Sequence, residues 1–164
     1  MIIAISGTPG TGKTSVAEHL DYPSIGITDF AEEHNIGENV DGEREINIEE
    51  LVEELEKEVQ RHEDVVVEGH LAHHLDAGYC VVLRCRPDVL RERLEGRDYS
   101  EQKIDENVEA EAMDLILSEA VSKQSNIIEL NTTKTAAEDV AVKVKKRIEN
   151  DETGYGNFDW TEFL

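Results

Sequence analysis

A segment near the start of the chain has the residue types and spacing of a phosphate-binding loop. Gly7–Thr14 reads Gly-Thr-Pro-Gly-Thr-Gly-Lys-Thr and satisfies the pattern Gly-x-x-x-x-Gly-Lys-Ser/Thr. Its glycines let backbone N–H groups turn towards phosphate oxygens, while Lys13 can reach the β- and γ-phosphates and Thr14 can ligate magnesium. The alternative, a plain glycine turn, would leave Lys13 beside several amide donors without an anion. The pattern therefore predicts binding of a nucleoside triphosphate with Mg²⁺.

Besides the hydroxyl of Thr14, an acidic residue is needed to organise the metal, and the sequence offers Glu68. This residue ends the apolar run Val65–Val67, where an acid at the ligand side of a parallel sheet can hold a metal through water. An exposed acid in a turn is the alternative.

His70, His73 and His74 share a helical face, but no partnering cysteine or spaced carboxylate completes a zinc site. We therefore interpret these histidines as surface residues.

Cations are scarce, so those beside the predicted site are informative. Arg91, Arg93 and Arg97 are followed by Lys103 in a polar segment between two predicted helices. Arginines in a short mobile segment can close over a transferring phosphoryl group and neutralise its charge. Arg97 is the preferred candidate and Arg93 the next. Ordinary pairing with neighbouring acids is the alternative for each.

The composition is strongly acidic. The 164 residues include 38 Asp and Glu against 16 Lys and Arg, which gives a formal net charge of −22. Direct nucleic-acid binding is not expected, because neutralising phosphates needs clustered cations. Molar salt screens self-repulsion, so a salt-loving host is the simplest explanation of the charge. An acidic face matched to a basic partner protein is the other explanation.

The length suits a single domain. No apolar stretch approaches the roughly 20 residues of a membrane span, and the amino terminus lacks a basic leader with a cleavage site. We therefore expect a cytoplasmic protein without membrane contact. Cys80 and Cys85 lie five positions apart in or after one predicted strand, on opposite faces, so they are not expected to pair.

Short apolar runs alternate with segments of helical periodicity, as in a parallel sheet covered on both faces. The predicted strands are 1–6, 24–28, 65–67, 79–84 and 126–130. The predicted helices are 15–20, 30–34, 48–62, 87–95, 104–121 and 135–150. Asp29 is expected to cap the second helix, and 35–47 is expected to be a loop. The order predicts an α/β fold, a three-layer P-loop NTPase domain with a five-stranded parallel sheet.

Three segments resemble the adenylate kinase isoenzyme 6 family, small P-loop kinases linked in eukaryotes and archaea to maturation of the small ribosomal subunit. They are Gly7–Ser15, the sequence Val-Val-Val-Glu-Gly-His at Val65–His70, and Arg93–Glu111, which is the most specific. The match covers about Met1–Val121. It implies a fold like that of nucleoside-monophosphate kinases.

The resemblance also implies an organisation and a set of site residues. Residues 1–150 would form the kinase domain, with a monophosphate-binding region at about 28–51 and a lid at about 96–106, and 151–164 would form an aromatic acidic tail. Arg97 would belong to the lid, and Glu68 and His70 would carry the acid and histidine of the second motif. The residues expected to hold the ATP phosphates are Gly10, Gly12, Lys13, Thr14 and Ser15.

Two departures from the family pattern concern the acceptor and the lid. Family members carry an arginine soon after the acid that starts the monophosphate region, where this chain has Glu32 and Glu33. Arg44 is the nearby cation that could replace it. The lid has Asp98 between Arg97 and Tyr99 in place of the family's glycine, and a loop position often accepts Asp at unusual φ.

The expected reaction is Mg²⁺-dependent transfer of the γ-phosphoryl group of ATP to AMP, giving two ADP, with ATPase activity and a link to ribosome biogenesis and rRNA processing. Lys13, Arg97, Glu68 and His70 are the expected catalytic residues, and Thr14 and Glu68 the expected metal ligands. The alternative is an ATPase assembly factor that binds a basic small-subunit ribosomal protein. A kinase for another small metabolite is the third hypothesis.

Overall fold

The computed structural model describes residues 1–40 and 43–164. The strands are β1 (Ile2–Ser6), β2 (Ser24–Gly26), β3 (Glu38–Val40), β4 (Glu43–Glu45), β5 (Val65–Glu68), β6 (Tyr79–Arg84) and β7 (Ile127–Asn131). The helices are α1 (Lys13–Glu18), α2 (Ile27–Glu33), α3 (Ile48–Val59), α4 (Pro87–Glu95), α5 (Glu101–Ala112), α6 (Leu115–Lys123) and α7 (Ala137–Glu149). Short 3₁₀ turns occur at Ala72–His74 and Thr161–Phe163.

Five strands form one parallel sheet in the order β2-β5-β1-β6-β7, which confirms the predicted fold class. The central strand β1 pairs with β5 and β6, and Ile5 lies opposite both Glu68 and Val81. Alternate residues of β1 enter different cores: Ala4 packs on the side of α2, α3 and α6, and Ile3 packs on the side of α1 and α7. Both faces are therefore buried, which is why these strands are continuous apolar runs.

The start of α2 differs from the prediction. The strand β2 ends at Gly26 and the helix begins at Ile27, so Asp29 lies inside the first turn and does not cap it. Ile27, Phe30 and Ala31 are all buried. Their spacing of three and four residues is helical, and packing on the core extends the helix to an earlier residue than the capping signal indicated.

The predicted loop 35–47 contains an antiparallel pair of strands, so the loop assignment is wrong for β3 and β4. Glu38 pairs with Glu45, and Asn39 pairs with Arg44. The residues of β3 are exposed, and the segment therefore carries no alternation of apolar and polar positions from which a strand could be predicted. Residues 41 and 42, also within the predicted loop, lie outside the described residues.

The helix predicted at 104–121 is two helices, α5 and α6. The chain turns at Met113 and Asp114, and Asp114 has a left-handed backbone with φ of 55°. Aspartate tolerates this conformation better than most residues, because its short side chain can make polar contacts locally. The Asp114 carboxylate pairs with Arg84. The break is therefore fixed by a tertiary contact that helical periodicity does not report.

The segment after α7 lies against the sheet and the helices. Gly154 N donates to Ile127 O at 2.7 Å, so the chain runs beside β7. Phe158 and Trp160 stack with centroids 5.9 Å apart, and the Arg86 guanidinium lies 5.3 Å from the ring centroid of Phe163. The aromatic residues thus contact one another and the α/β body.

Two further features concern cysteines and membranes. Cys80 and Cys85 are both buried free thiols, in agreement with the prediction. Across residues 1–40 and 43–164, no helix combines the length and apolar character that crossing a membrane requires.

Candidate functional site

The glycine loop connects the carboxyl end of β1 to the start of α1. Gly10 and Gly12 have φ of 92° and 100°, a backbone that residues with a Cβ rarely adopt. A Cβ on Gly10 would also lie 2.9 Å from Leu90 Cδ1 and 3.0 Å from Leu94 Cδ2, whereas nothing lies within 4 Å of one on Gly12. Conformation and packing together require glycine at position 10, and conformation alone favours it at position 12.

Lys13 is half-buried under the loop that it follows. Its Nζ donates to Gly7 O at 2.9 Å and to Thr8 O at 3.1 Å. Burial lowers the pKa of Lys13 from 10.5 to about 8, and Arg97 acts in the same direction, while Glu68 and Glu111 oppose the shift. The ammonium is therefore held by carbonyl oxygens of the loop, from which a phosphate could recruit it.

Thr14 and Glu68 meet at the carboxyl edge of the sheet. Thr14 Oγ1 donates to Glu68 Oε1 at 3.1 Å. Burial raises the pKa of Glu68, although the Thr14 hydroxyl and Lys13 act against that shift. Mg²⁺ prefers oxygen ligands at about 2.1 Å in octahedral geometry, which places adjacent ligand oxygens about 3 Å apart. The two oxygens therefore fit a magnesium site in both chemistry and spacing.

A cavity of about 450 Å³ opens beside the glycine loop. It is lined by the loop, the first turns of α1, the end of α4 and the segment that follows β7. Ser15 and Arg97, both exposed, belong to its lining. Three of the expected phosphate-binding residues, Gly10, Gly12 and Ser15, thus border the cavity, whereas Lys13 and Thr14 are not part of its lining. Thr132, Thr135 and Ala137 also line it and were not predicted from the sequence.

The other arginines make contacts that hold the structure. Arg93 donates to Gly10 O at 3.3 Å and to Thr132 O at 2.7 Å, so it ties the glycine loop to the end of β7 and lines the cavity. Arg91 pairs with Glu101 and Asp105 on α5, which is the alternative of ordinary pairing.

Arg44, the cation predicted for the acceptor side, contacts the backbone near the end of α2. Arg44 donates from Nε to Ile36 O at 2.6 Å and from Nη2 to Ala31 O at 3.4 Å. Its guanidinium therefore bonds backbone carbonyls at the end of α2. Glu32 and Glu33, at the departure from the family pattern, are both exposed.

The histidines separate into two groups. His70 lies two residues after Glu68 and is exposed, in agreement with the interpretation as a surface residue. That interpretation is wrong for His73, which is fully buried, and the side chain of His74 is only 11% exposed. His73 Nδ1 lies 2.7 Å from Ser6 Oγ, and its Nε2 lies 2.8 Å from Glu119 Oε2. Glu119 is the carboxylate that the sequence analysis did not find, because it lies on a different element.

A buried ionic network supports the glycine loop from below. Thr8 Oγ1 donates to Glu111 Oε1 at 3.0 Å, and Arg84 Nε donates to Glu111 Oε2 at 3.3 Å. Arg84 Nη1 also donates to Glu129 Oε2 at 2.9 Å, and Nη2 pairs with Asp114. Burial raises the pKa of Glu111, and Arg84 acts against the shift. The sequence signal of this network was Arg84, a charged residue at the end of the apolar run of β6.

Comparison with known proteins identifies the family. A family profile described as an AAA domain matches residues 3–114. Proteins named "Putative adenylate kinase" from Pyrococcus abyssi and Archaeoglobus fulgidus are each 43% identical, over 99% and 100% of this chain and 92% and 94% of their own lengths. The chain belongs to the archaeal adenylate kinase family. A relative of this kinase with the same name, from Natronomonas pharaonis, is 38% identical over the full length of both chains.

Solved structures resemble the kinase in fold. Shikimate kinase from Acinetobacter baumannii in complex with shikimate superimposes with a TM-score of 0.66 at 18% identity, covering 92% of this chain and 94% of that one. Deoxyadenosine kinase from M. mycoides gives a TM-score of 0.53 at 11% identity, covering 92% and 100%. At these identities the similarity shows the fold, which is that of P-loop kinases.

We expect Arg84→Met to lower the free energy of unfolding by about 3–5 kcal/mol, because Glu111 and Glu129 would remain buried without their cation. Arg91→Met is the matched control, since its partners Glu101 and Asp105 are exposed and such pairs contribute less than about 1 kcal/mol. Urea unfolding at a fixed KCl concentration measures both. Equal losses in the two variants would contradict the importance of the network.

We expect Gly10→Ala to destabilise the kinase more than Gly12→Ala. Both substitutions place a Cβ on a backbone of similar φ, but only position 10 also forces Leu90 and Leu94 to move, which adds about 1–3 kcal/mol. Thermal or urea unfolding of the two variants gives the difference. Equal destabilisation would show that backbone conformation alone selects glycine at both positions.

Proposed function

We propose that this protein is an adenylate kinase that transfers the γ-phosphoryl group of ATP to AMP and forms two ADP. The observation that carries the proposal is the arrangement of Lys13, the Thr14–Glu68 pair and Arg97 around a glycine loop that opens into a cavity of about 450 Å³. The names of the archaeal relatives agree with it. We assign the donor nucleotide to this cavity, with its phosphates in the loop.

The proposed reaction needs positioning and charge stabilisation more than proton transfer. An oxygen of the AMP phosphate forms a bond to the γ-phosphorus, and the bond from that phosphorus to the β–γ bridging oxygen breaks. The acceptor oxygen is already anionic, so no general base is required. Lys13 moves from the carbonyls of Gly7 and Thr8 to the β- and γ-phosphates, and Arg97 reaches the transferring group from the end of α4.

We assign the metal site to Thr14 and Glu68, whose oxygens fit Mg²⁺. When bound, Mg²⁺ neutralises charge on the phosphates of the donor. Gly10, Gly12 and Ser15 complete the phosphate-binding surface in this proposal. The segment 96–106, which comprises the turn after α4 and the first turns of α5, is the proposed lid that excludes water.

We also propose ATPase activity and a role in maturation of the small ribosomal subunit. His70, exposed beside Glu68, is assigned to orienting a water molecule or sensing the γ-phosphate. The net charge of −22 supports a basic partner, such as a small-subunit ribosomal protein, because an acidic surface attracts and shields it. Pull-down from a halophilic lysate at native salt tests for that partner.

We expect Lys13→Ala to lower ADP formation by about 10²-fold or more, because it removes a cation from the transferring phosphates. Lys143→Ala, at an exposed position on α7, is the control and retains activity. A coupled assay in molar KCl, with and without AMP, measures ADP from each variant. Formation of ADP that does not depend on AMP would overturn the kinase assignment and leave the ATPase.

We expect affinity for MgATP to fall as the pH rises above about 8, the pKa that burial gives Lys13. Bound phosphates favour the charged Lys13 amine and raise its pKa. At a pH where Lys13 of the free protein has lost its proton, binding of MgATP therefore takes up a proton. Calorimetry in buffers of different ionisation enthalpy, from about pH 7 to about pH 9.5, measures the uptake.

The matched variant for this pH dependence is Lys13→Arg, because a guanidinium stays charged over the whole range. Whether the affinity of this variant for MgATP is higher or lower than that of the wild type, it should not fall as the pH rises above about 8. A wild-type affinity that is constant across the range would contradict the assignment of Lys13 to the phosphates.

A further inference from the structure

A cluster of two histidines and one carboxylate lies outside the proposed catalytic site. One ring nitrogen each from His73 and His74 and one oxygen of Glu119 all lie within 4.8 Å of one another. His73 Nε2 is 2.8 Å and His74 Nε2 is 3.8 Å from Glu119 Oε2. Across residues 1–40 and 43–164, it is the one group of three or more metal-ligating side chains found at such separations.

The two distances to Glu119 bracket the separation of ligand atoms in a zinc site. Zinc binds histidine nitrogen at about 2.0–2.1 Å and carboxylate oxygen at about 2.0–2.2 Å, so tetrahedral ligand atoms lie about 3.3 Å apart. The observed 2.8 Å and 3.8 Å lie on either side of that value. Glu119 is 41% exposed, so its side chain can adjust to equalise its distances to the two histidine nitrogens.

The surroundings orient His73 for such a role. Its Nδ1 lies 2.7 Å from Ser6 Oγ, within a buried contact. Metal-binding histidines commonly direct the second ring nitrogen to a polar partner, which fixes the ring and the tautomer. The turn is fixed as well, because Gln124 Nε2 donates to His73 O at 2.8 Å and to Leu75 O at 2.7 Å. His73 is therefore preorganised, and the turn that carries it is tied to Gln124 at the end of α6.

The charge state of the cluster also suits a cation. Burial lowers the pKa of both His73 and His74, which favours the neutral form of each ring. Lys123 is the charged neighbour that opposes a cation there, and it acts on both histidines. The net charge of −22 acts in the other direction by raising the local concentration of cations.

We propose that His73, His74 and Glu119 form a binding site for a divalent transition metal of the zinc type, linking the Ala72–His74 turn to α6. The metal takes the lone pairs of one nitrogen from each ring and of one carboxylate oxygen. The single proton of the neutral His73 ring then lies on Nδ1, from which it is donated to Ser6 Oγ, and no oxidation state changes. Solvent completes the coordination, because Glu119 and His74 are partly accessible.

This site is distinct in chemistry from the proposed magnesium site at Thr14 and Glu68. Two imidazole nitrogens favour zinc over Mg²⁺, which prefers oxygen ligands. Ser6 connects the two regions, because it contacts His73 and directly precedes the glycine loop. The proposal does not depend on the assigned enzymatic reaction.

The test is a calorimetric titration of the full chain, free of any histidine tag and stripped with a chelator, with ZnCl₂ in molar KCl. We expect one Zn²⁺ per chain, a rise in melting temperature with Zn²⁺, and no displacement by excess Mg²⁺. Co²⁺ used as a spectroscopic probe should give the visible absorption of a site with nitrogen and oxygen ligands.

Four variants locate the binding. His74→Ala and Glu119→Gln should each weaken Zn²⁺ binding by more than about tenfold, since each removes a ligand. Lys123→Gln should tighten it. His62→Ala is the matched control, because His62 Nε2 lies 3.5 Å from Glu58 Oε1 in a pair that lacks a second histidine, and it should leave the affinity unchanged.

Failure to bind Zn²⁺ saturably, or equal binding by the wild type, His74→Ala and Glu119→Gln, would overturn the proposal. Melting temperatures of the metal-free variants show whether each is folded. If His74→Ala does not fold, Glu119→Gln decides the outcome, because its side chain is partly exposed and the substitution keeps its shape. A Zn²⁺ affinity reduced equally by His62→Ala would indicate nonspecific binding and also overturn the proposal.

Discussion

The buried guanidinium of Arg84 is the constraint on which the arrangement of the site depends. It is 1% exposed and is paired with Glu111 and Glu129, which are also buried. A charge removed from water needs compensation at short range, so the end of β6, the end of α5 and the middle of β7 have to meet at one point. Glu111 then accepts from Thr8 in the glycine loop. The loop is thereby placed by a contact that involves three other elements of the fold.

The same carboxylates extend this constraint to the end of the chain. Glu129 Oε1 accepts from the backbone N–H of Gly156 and Asn157, at 2.9 Å and 3.0 Å. The segment that follows α7 is thus attached to the carboxylate that pairs with Arg84, and through Glu111 to the floor of the loop. Arg97 and Ser15, which line the cavity, differ from the buried network because their side chains are exposed. A glycine loop held by a buried network, next to exposed side chains, suits the proposed site, in which the loop would hold the phosphates while the exposed groups move.

The sequence predicted those features that are local. The glycine loop, the apolar strands and the helix Pro87–Glu95 follow from spacing within short windows, and the structure has them at or near the predicted residues. The sequence could not predict contacts between residues that are far apart in the chain. Glu119 is 46 positions from His73, and no periodicity links them. The strand β3 was not predicted for a different reason: its residues are exposed, so they do not alternate between apolar and polar. Assignment of roles to Lys13, Arg97, Glu68 and His70 remains a prediction from motif and resemblance.

The chain's charge makes the choice of donor atom important. A net charge of −22 attracts every cation, so it gives no selectivity between them. Selectivity has to come from the ligands, and the described residues offer two different sets near the end of β1. Thr14 and Glu68 present oxygen alone, whereas the cluster with Glu119 adds two imidazole nitrogens. Hard Mg²⁺ is favoured by the first set and a softer transition metal by the second. In these two proposals, the donor atoms and not the net charge distinguish the cations that would occupy neighbouring regions of one acidic protein.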